Sequence, residues 1–245
     1  MDTKSSDITY AFDGKLWHIL LGTMIFLFII SPTLKGIGSF PSQIIDVVFW
    51  VSFGALALRC RENMLFRCFL VLMISCSLLT SLASGALAPS GCGTWMVVHR
   101  AFSLLTTFLV FATLLHQLFL VKHANSPTIT CSICAYLALA LTWTNALALE
   151  LFFHPGSLMH LVGPDMAPFY FQGEDTLSEL FYFSISTLTS VGYGDIVPAN
   201  SWTRLFCSTE AIMGQFYVAV VIARVVSIYI NDSRAAEKKE PAPCK

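Results

Sequence analysis

Glu174-Asp-Thr-Leu-Ser-Glu-Leu-Phe-Tyr-Phe-Ser-Ile-Ser-Thr-Leu-Thr-Ser-Val-Gly-Tyr-Gly-Asp-Ile-Val-Pro-Ala-Asn200 is the stretch on which the rest of the chain is read. Thr176 and Glu179, three residues apart, form a capping box in which each side chain satisfies a backbone N–H of the other, so a helix is predicted to start there. About twelve residues then precede Thr189, enough for roughly 18 Å of helix. That length enters a bilayer half way and does not cross its roughly 30 Å of hydrocarbon. Such a helix sits at membrane depth only with protein around it, and the non-helical backbone after it must line a cavity.

The neighbourhood is as apolar as that reading requires. Of 245 residues, 56% are hydrophobic and 12% charged, a balance outside the range of soluble domains. Six blocks have spanning length: 17–33, 43–59, 64–87, 99–121, 129–153 and 203–230. The predicted class is therefore an all-α membrane protein with six transmembrane helices plus the re-entrant helix. A net charge of −1 gives no basic footprint for nucleic acid. Asp2, Asp7 and Asp13 beside Lys4 and Lys15 make a poor secretory leader, so 17–33 is read as a retained helix.

Lys and Arg collect in cytoplasmic loops. Arg59, Arg61 and Arg67 lie between blocks two and three, Lys122 follows block four, and Arg234, Lys238, Lys239 and Lys245 follow block six. The other side carries only Lys35, Arg100 and Arg204. A multi-pass protein of the cell membrane with both termini cytoplasmic fits every loop, and it places 174–200 on the outer side.

The chemistry of 189–195 follows from its residue types. A dehydrated potassium ion needs a ring of oxygens in place of its water, and backbone carbonyls contributed by four chains provide one. Aligning successive carbonyls demands dihedrals that Gly192 and Gly194 adopt without a Cβ penalty. Ser190 adds a hydroxyl at the inner mouth, and Val191 and Tyr193 are expected to pack outward. The carboxyl end of the short helix, near Leu188, directs its negative dipole at the space below and favours a cation there.

Thr189 to Asp195 resembles the signature of the tetrameric potassium channels, and Tyr-Phe-Ser…Thr-Leu with Ile-Val-Pro is similar to bacterial members. The resemblance is close over 174–230 and architectural before that. It implies a homotetramer of identical subunits in membrane lipid, potassium ions held at Ser190, Val191, Gly192, Tyr193 and Gly194, and filter support from Thr189 and Asp195. It implies no enzyme activity and no cofactor beyond potassium ions in the filter. Gly214, 20 residues after Gly194, stands where the family has its gating hinge; its bland reading is close helix packing. Ser190 departs from the threonine of many members, so the innermost site is expected to be looser.

The resemblance divides the chain into a cytoplasmic start (1–16), a four-helix voltage-sensor-like domain (17–124), a pore domain (125–231, pore helix and filter at 176–195) and a disordered cytoplasmic tail (232–245). A voltage sensor needs several charges, since one charge yields only about 2.3 kcal/mol per 100 mV. Stepping by three from Arg100 gives Ser103, Thr106, Leu109 and Ala112, so no charge ladder exists and weak or no voltage dependence is expected. Arg100 either pairs with Asp46 or snorkels, and His116 is expected to be a core histidine. Arg224 either snorkels or holds the inner gate through a salt bridge.

Glu150, Asp165, Glu174, Asp175, Glu179, Asp195 and Glu210 together suggest an acidic vestibule. His154 and His160 are read as ordinary loop histidines, and Cys131-x-x-Cys134 as helix packing with no second pair for a metal. A membrane enzyme would need converging histidines or carboxylates, and a transporter would need paired broken helices. The alternative that keeps the motif is a non-conducting or regulatory subunit of a channel complex.

Overall fold

A computed structural model describes residues 14–30, 71–80, 93–120, 126–162, 165–170 and 174–237. Its helices are α1 (Gly14–Ile30), α2 (Val71–Thr80), α3 (Gly93–Leu120), α4 (Ser126–Phe153), α5 (Glu174–Leu188), α6 (Ser201–Phe216) and α7 (Ala223–Glu237). A π-helical segment, Tyr217–Ile222, joins α6 to α7 without a break. Among the described residues, three helical stretches are long and apolar enough to cross a membrane: Trp95–Leu120, Pro127–Phe153 and Ser201–Asn231. These are blocks four, five and six. Block two, with Asp46, lies outside the described residues.

Local chemistry sets the helix ends. Ser126-Pro127 opens α4, where proline's fixed φ suits the first turn and its missing N–H is not needed. α4 stops at His154-Pro155-Gly156, Gly156 taking a φ of 80° that turns the chain back. Asn200 caps α6, its side chain accepting from the Thr203 amide at 2.7 Å. The last helix continues to Glu237, past the expected boundary at 231, because Ser-Arg-Ala-Ala-Glu contains good helix formers and no breaker.

α3 lies along α4 of the same chain, the two separated by residues 121–125 only. Val110, Phe111, Leu114 and Leu118 of α3 share a core with Cys131, Cys134, Ala135 and Ala138 of α4. Both cysteines of the C-x-x-C are fully buried there. α1 joins through Leu20 and Met24 and a His18–Thr130 hydrogen bond of 3.2 Å. α2 meets α3 at Ser77–Thr106 (2.8 Å) and Thr80–His99 (3.1 Å). Arg100 is buried rather than snorkelling, and His116 is exposed rather than in the core.

A second core gathers the outer segment. Leu147, Ala148 and Leu151 of α4, Leu180 and Phe183 of α5, and Cys207 of α6 pack with Leu158, Phe169 and Ile196. The last three belong to a small antiparallel sheet, or follow it directly, where the sequence suggested only a loop. Its order is β2 (Asp165–Pro168), β1 (Leu158–Val162), β3 (Ile196–Pro198), with Met159 opposite both Pro168 and Val197. Because β3 follows residues 189–195 directly, the hairpin fastens their outer end: the Leu161 amide donates to the Asp195 carbonyl at 2.8 Å.

Candidate functional site

The segment after α5 is held from behind by one residue. Ser186 accepts the Val191 amide at 2.9 Å and the Gly192 amide at 3.2 Å on its carbonyl, and the Tyr193 amide at 3.4 Å on its hydroxyl. In a trans peptide, C=O points opposite to the N–H of the next residue. With three consecutive N–H groups turned to Ser186, the carbonyls of Ser190, Val191 and Gly192 face the open side.

Positive φ recurs at every second residue: Ser190 (59°), Gly192 (57°) and Gly194 (80°). Alternating left-handed residues keep the strand nearly straight while its carbonyls stay on one side, unlike a helix or a β-strand. Glycine reaches that region freely, whereas Ser190 carries a steric cost of about 1–2 kcal/mol. Residues 189–195 are all exposed in the single chain, Tyr193 at 69% and Val191 at 54%.

The supports come from both sides. Thr189 caps the end of α5, its hydroxyl donating to the Ile185 carbonyl at 2.7 Å. Tyr182 stacks on Tyr193 with centroids 5.8 Å apart and planes 13° off parallel. The Tyr182 hydroxyl also hydrogen-bonds Asp195, whose carboxylate accepts the Ile196 amide at 3.1 Å. One α5 side chain therefore ties down both the tyrosine and the aspartate of the motif.

Gly214 is buried against the end of α5. A Cβ there would run into the Leu188 carbonyl and stand 2.8 Å from that residue's carbon and Cα. Gly214 itself lies in regular α-helix, and the departure from regularity is the π segment that starts three residues later. The next residue, Gln215, donates through Nε2 to the Ser190 hydroxyl at 2.9 Å.

Glu210 is 0% exposed and does not belong to any vestibule. Its Oε1 lies 2.5 Å from the Ser184 hydroxyl of α5, which is also 3.0 Å from the Ala140 carbonyl of α4. Oε2 has no hydrogen-bond partner among the described residues. The other acidic residues with described side chains are also engaged: Glu150 with Thr203 (3.3 Å) and His154 (3.3 Å), and Glu179 with His160 (3.2 Å). Among the described residues no group of histidine, cysteine and carboxylates could hold a metal ion.

Arg224 reaches neither water alone nor a described carboxylate. Its guanidinium donates to the Phe119 carbonyl at 2.9 Å and lies 5.1 Å from the centre of the Phe119 ring. Phe119 belongs to the last turn of α3, where carbonyls lack helical partners and the dipole is negative. The cation thus caps one helix from another.

Sequence reasoning did not single out Ser184, Ser186, Tyr182 or Gln215. Gln215 had a signal, being polar directly after a glycine within an apolar block. Glu210 had one too. Thr203, Cys207, Glu210, Gly214, Tyr217 and Val221 recur at alternating spacings of four and three and are the buried stripe of the helix.

Residues 150–231 match a family model described as ion channel. The chain is similar to the two pore potassium channel c of Oryza sativa subsp. japonica, 32% identical over 98 residues, 40% of this chain and 18% of the relative. It is 41% identical over 59 residues to the two-pore potassium channel 4 of Arabidopsis thaliana, covering 23% of this chain and 21% of that one. It is 42% identical over 55 residues to the voltage-gated potassium channel Kch of Escherichia coli (strain K12), covering 22% and 12%. The chain thus spans about a fifth or less of the length of these relatives. No solved structure matches it. The matches support an ion-channel domain with transmembrane helices over the last third of the chain.

Proposed function

We propose that this chain is the subunit of a potassium-selective channel of the cell membrane, with residues 189–195 as its filter. The observation that carries the reading is the backbone itself, with positive φ at 190, 192 and 194 and three N–H groups turned away onto Ser186. Carbonyls so aligned make one wall of a dehydrating ion path, and potassium ions would be held by Ser190, Val191, Gly192, Tyr193 and Gly194. Thr189, Tyr182 and Asp195 hold the wall in place.

One strand supplies a quarter of a ring, so four identical subunits in lipid complete it. The apolar window of the last helix is only 22% buried in the single chain, against 56% for α4. Trp202, Leu205, Ile212, Phe216 and Val220 stand exposed along it, as a helix covered by neighbouring subunits requires. Six crossings with both termini cytoplasmic remain our reading of the loops. The front helices meet the pore elements of their own chain where α3 packs along α4. With Arg100 the only arginine of α3, they carry no charge ladder and gating depends weakly on voltage.

For the gate, Gly214 and Gln215 hold the inner helix to the filter unit, and bending takes place below them, in the π segment. Arg224 ties the lower half to the end of α3. The test is flux from vesicles loaded with potassium chloride or sodium chloride and diluted into the chloride of a large impermeant organic cation, followed by proton uptake through an ionophore. Uptake is expected with potassium inside and not with sodium inside. Equal uptake with both, or with neither, contradicts the proposal, and the second result favours a non-conducting subunit.

A further inference from the structure

Ser190 is the only non-glycine among the described residues with positive φ, and it stands at the inner end of the ion path. Its side chain is also the least constrained one there. Threonine is stiff at χ1 because two heavy atoms branch from Cβ, whereas the serine hydroxyl samples its rotamers with little preference. A freely rotating hydroxyl presents to an ion now a lone pair, now a hydrogen. The structure supplies a restraint from outside the motif, the 2.9 Å hydrogen bond from Gln215 Nε2 to Ser190 Oγ.

Gln215 reaches that far because its neighbour has no side chain. Gly214 lies on the Leu188 carbonyl closer than any Cβ permits, which brings the inner helix up under the filter. Leu188 is two residues before Ser190, so the same contact fixes both partners of the bond. Both side chains are exposed in the single chain, on the side that assembly would turn to the central cavity.

We propose that Gln215 is a positioning residue for the innermost ion site, doing for Ser190 what a γ-methyl group does for threonine. The amide N–H occupies one lone pair of Oγ, so the hydroxyl hydrogen cannot point toward Gln215 and the other lone pair is left for the ion. Serine in the motif and glutamine in the inner helix are then one device. The inference rests on the channel reading above.

The test uses four full-length forms reconstituted in bilayers: wild type, Gln215→Leu, Ser190→Thr and the double variant. Bi-ionic reversal potentials give the sodium-to-potassium permeability ratio. Gln215→Leu is expected to raise the ratio about fivefold, the equilibrium equivalent of one net hydrogen bond. Ser190→Thr alone alters an ion-binding residue and serves as the reference for the double variant. In the Gln215→Leu background, Ser190→Thr is expected to bring the ratio back to within about twofold of wild type, since the restraint is then internal. Gln215→Asn, a shorter amide that cannot reach Oγ, is expected to behave like Gln215→Leu and serves if the leucine form does not assemble. A potassium-selective wild type with an unmoved ratio in both Gln215 variants, or a double variant as leaky as Gln215→Leu, overturns this inference alone. A wild type whose reversal ignores potassium overturns the channel reading and this inference with it.

Discussion

Replacing Gly214 by alanine separates two roles that predict opposite signs. A hinge glycine weakens its helix by about 1 kcal/mol relative to alanine, so a pure hinge would make Gly214→Ala stabilising by that amount. The structure places the new Cβ 2.8 Å from the carbon and Cα of Leu188 and against its carbonyl oxygen. These are backbone atoms at the end of α5 and cannot rotate aside, so the helices must separate. Overpacking of this kind costs about 1–3 kcal/mol, and the upper half applies where rigid atoms collide. After the gain in helix propensity, a net loss of about 1–2 kcal/mol per subunit remains. At about 2–4 °C per kcal/mol for a chain of this size, the melting temperature should fall by roughly 5 °C. Thermal melting of the detergent-solubilised assembly, followed by tryptophan fluorescence, measures it. A Gly214→Ala protein that melts with the wild type or above it would refute the clamp.

Glu210→Ala is expected to cost about 2–4 kcal/mol, leaving a cavity behind α5 and Ser184 with only the Ala140 carbonyl, while Glu210→Gln keeps volume and partner and costs under about 1 kcal/mol. The same melting assay orders them, and equal melting of both variants would sink the role given to the Ser184 contact. Tyr182→Phe keeps the 5.8 Å stack on Tyr193 but loses the bond to Asp195. Its expected cost is about 1 kcal/mol, read as weaker protection by potassium ions in the melt, and unchanged protection would count against it. Arg224→Met keeps the aliphatic stem and removes both the Phe119 cap and the ring contact. A loss of about 1 kcal/mol is expected, and a shift in single-channel open probability should accompany it. A variant with wild-type melting and gating would exclude the latch.

The parts legible in the sequence are those governed by local rules. The apolar blocks gave the three long helices to within a few residues or turns, because burial in lipid leaves composition and length to decide. Thr176 and Glu179 marked the start of α5 to within two residues of Glu174. The alternation at 190, 192 and 194 was half visible, since glycine announces positive φ at two positions and serine hides it at the third.

What escaped depends on residues distant in sequence. β1, β2 and β3 are five, four and three residues long, too short for a period-2 pattern to stand out, and β1 gains its second partner across α5 and residues 189–195. Gly163-Pro164 between the first two strands was the available turn signal. Glu210 was misread as a vestibule charge because residue type argues for exposure, and only its place on the stripe with Cys207 and Gly214 argues against it. Arg224 was read as a choice between water and a carboxylate. The partner it found, a main-chain carbonyl on another helix, leaves no mark in any sequence. The π segment has no compositional signal either, lying in an unbroken Val-Ala-Val-Val-Ile run.

The central claim is that residues 189–195 form a potassium-selecting path, and the direct measurement is the reversal potential of the reconstituted protein in a planar bilayer. Potassium chloride faces one side and sodium chloride the other, and current is recorded across a voltage ramp. Expected is a reversal close to the potassium equilibrium potential, with open probability nearly flat in voltage. A reversal near zero, with sodium carried as readily as potassium, would contradict the claim.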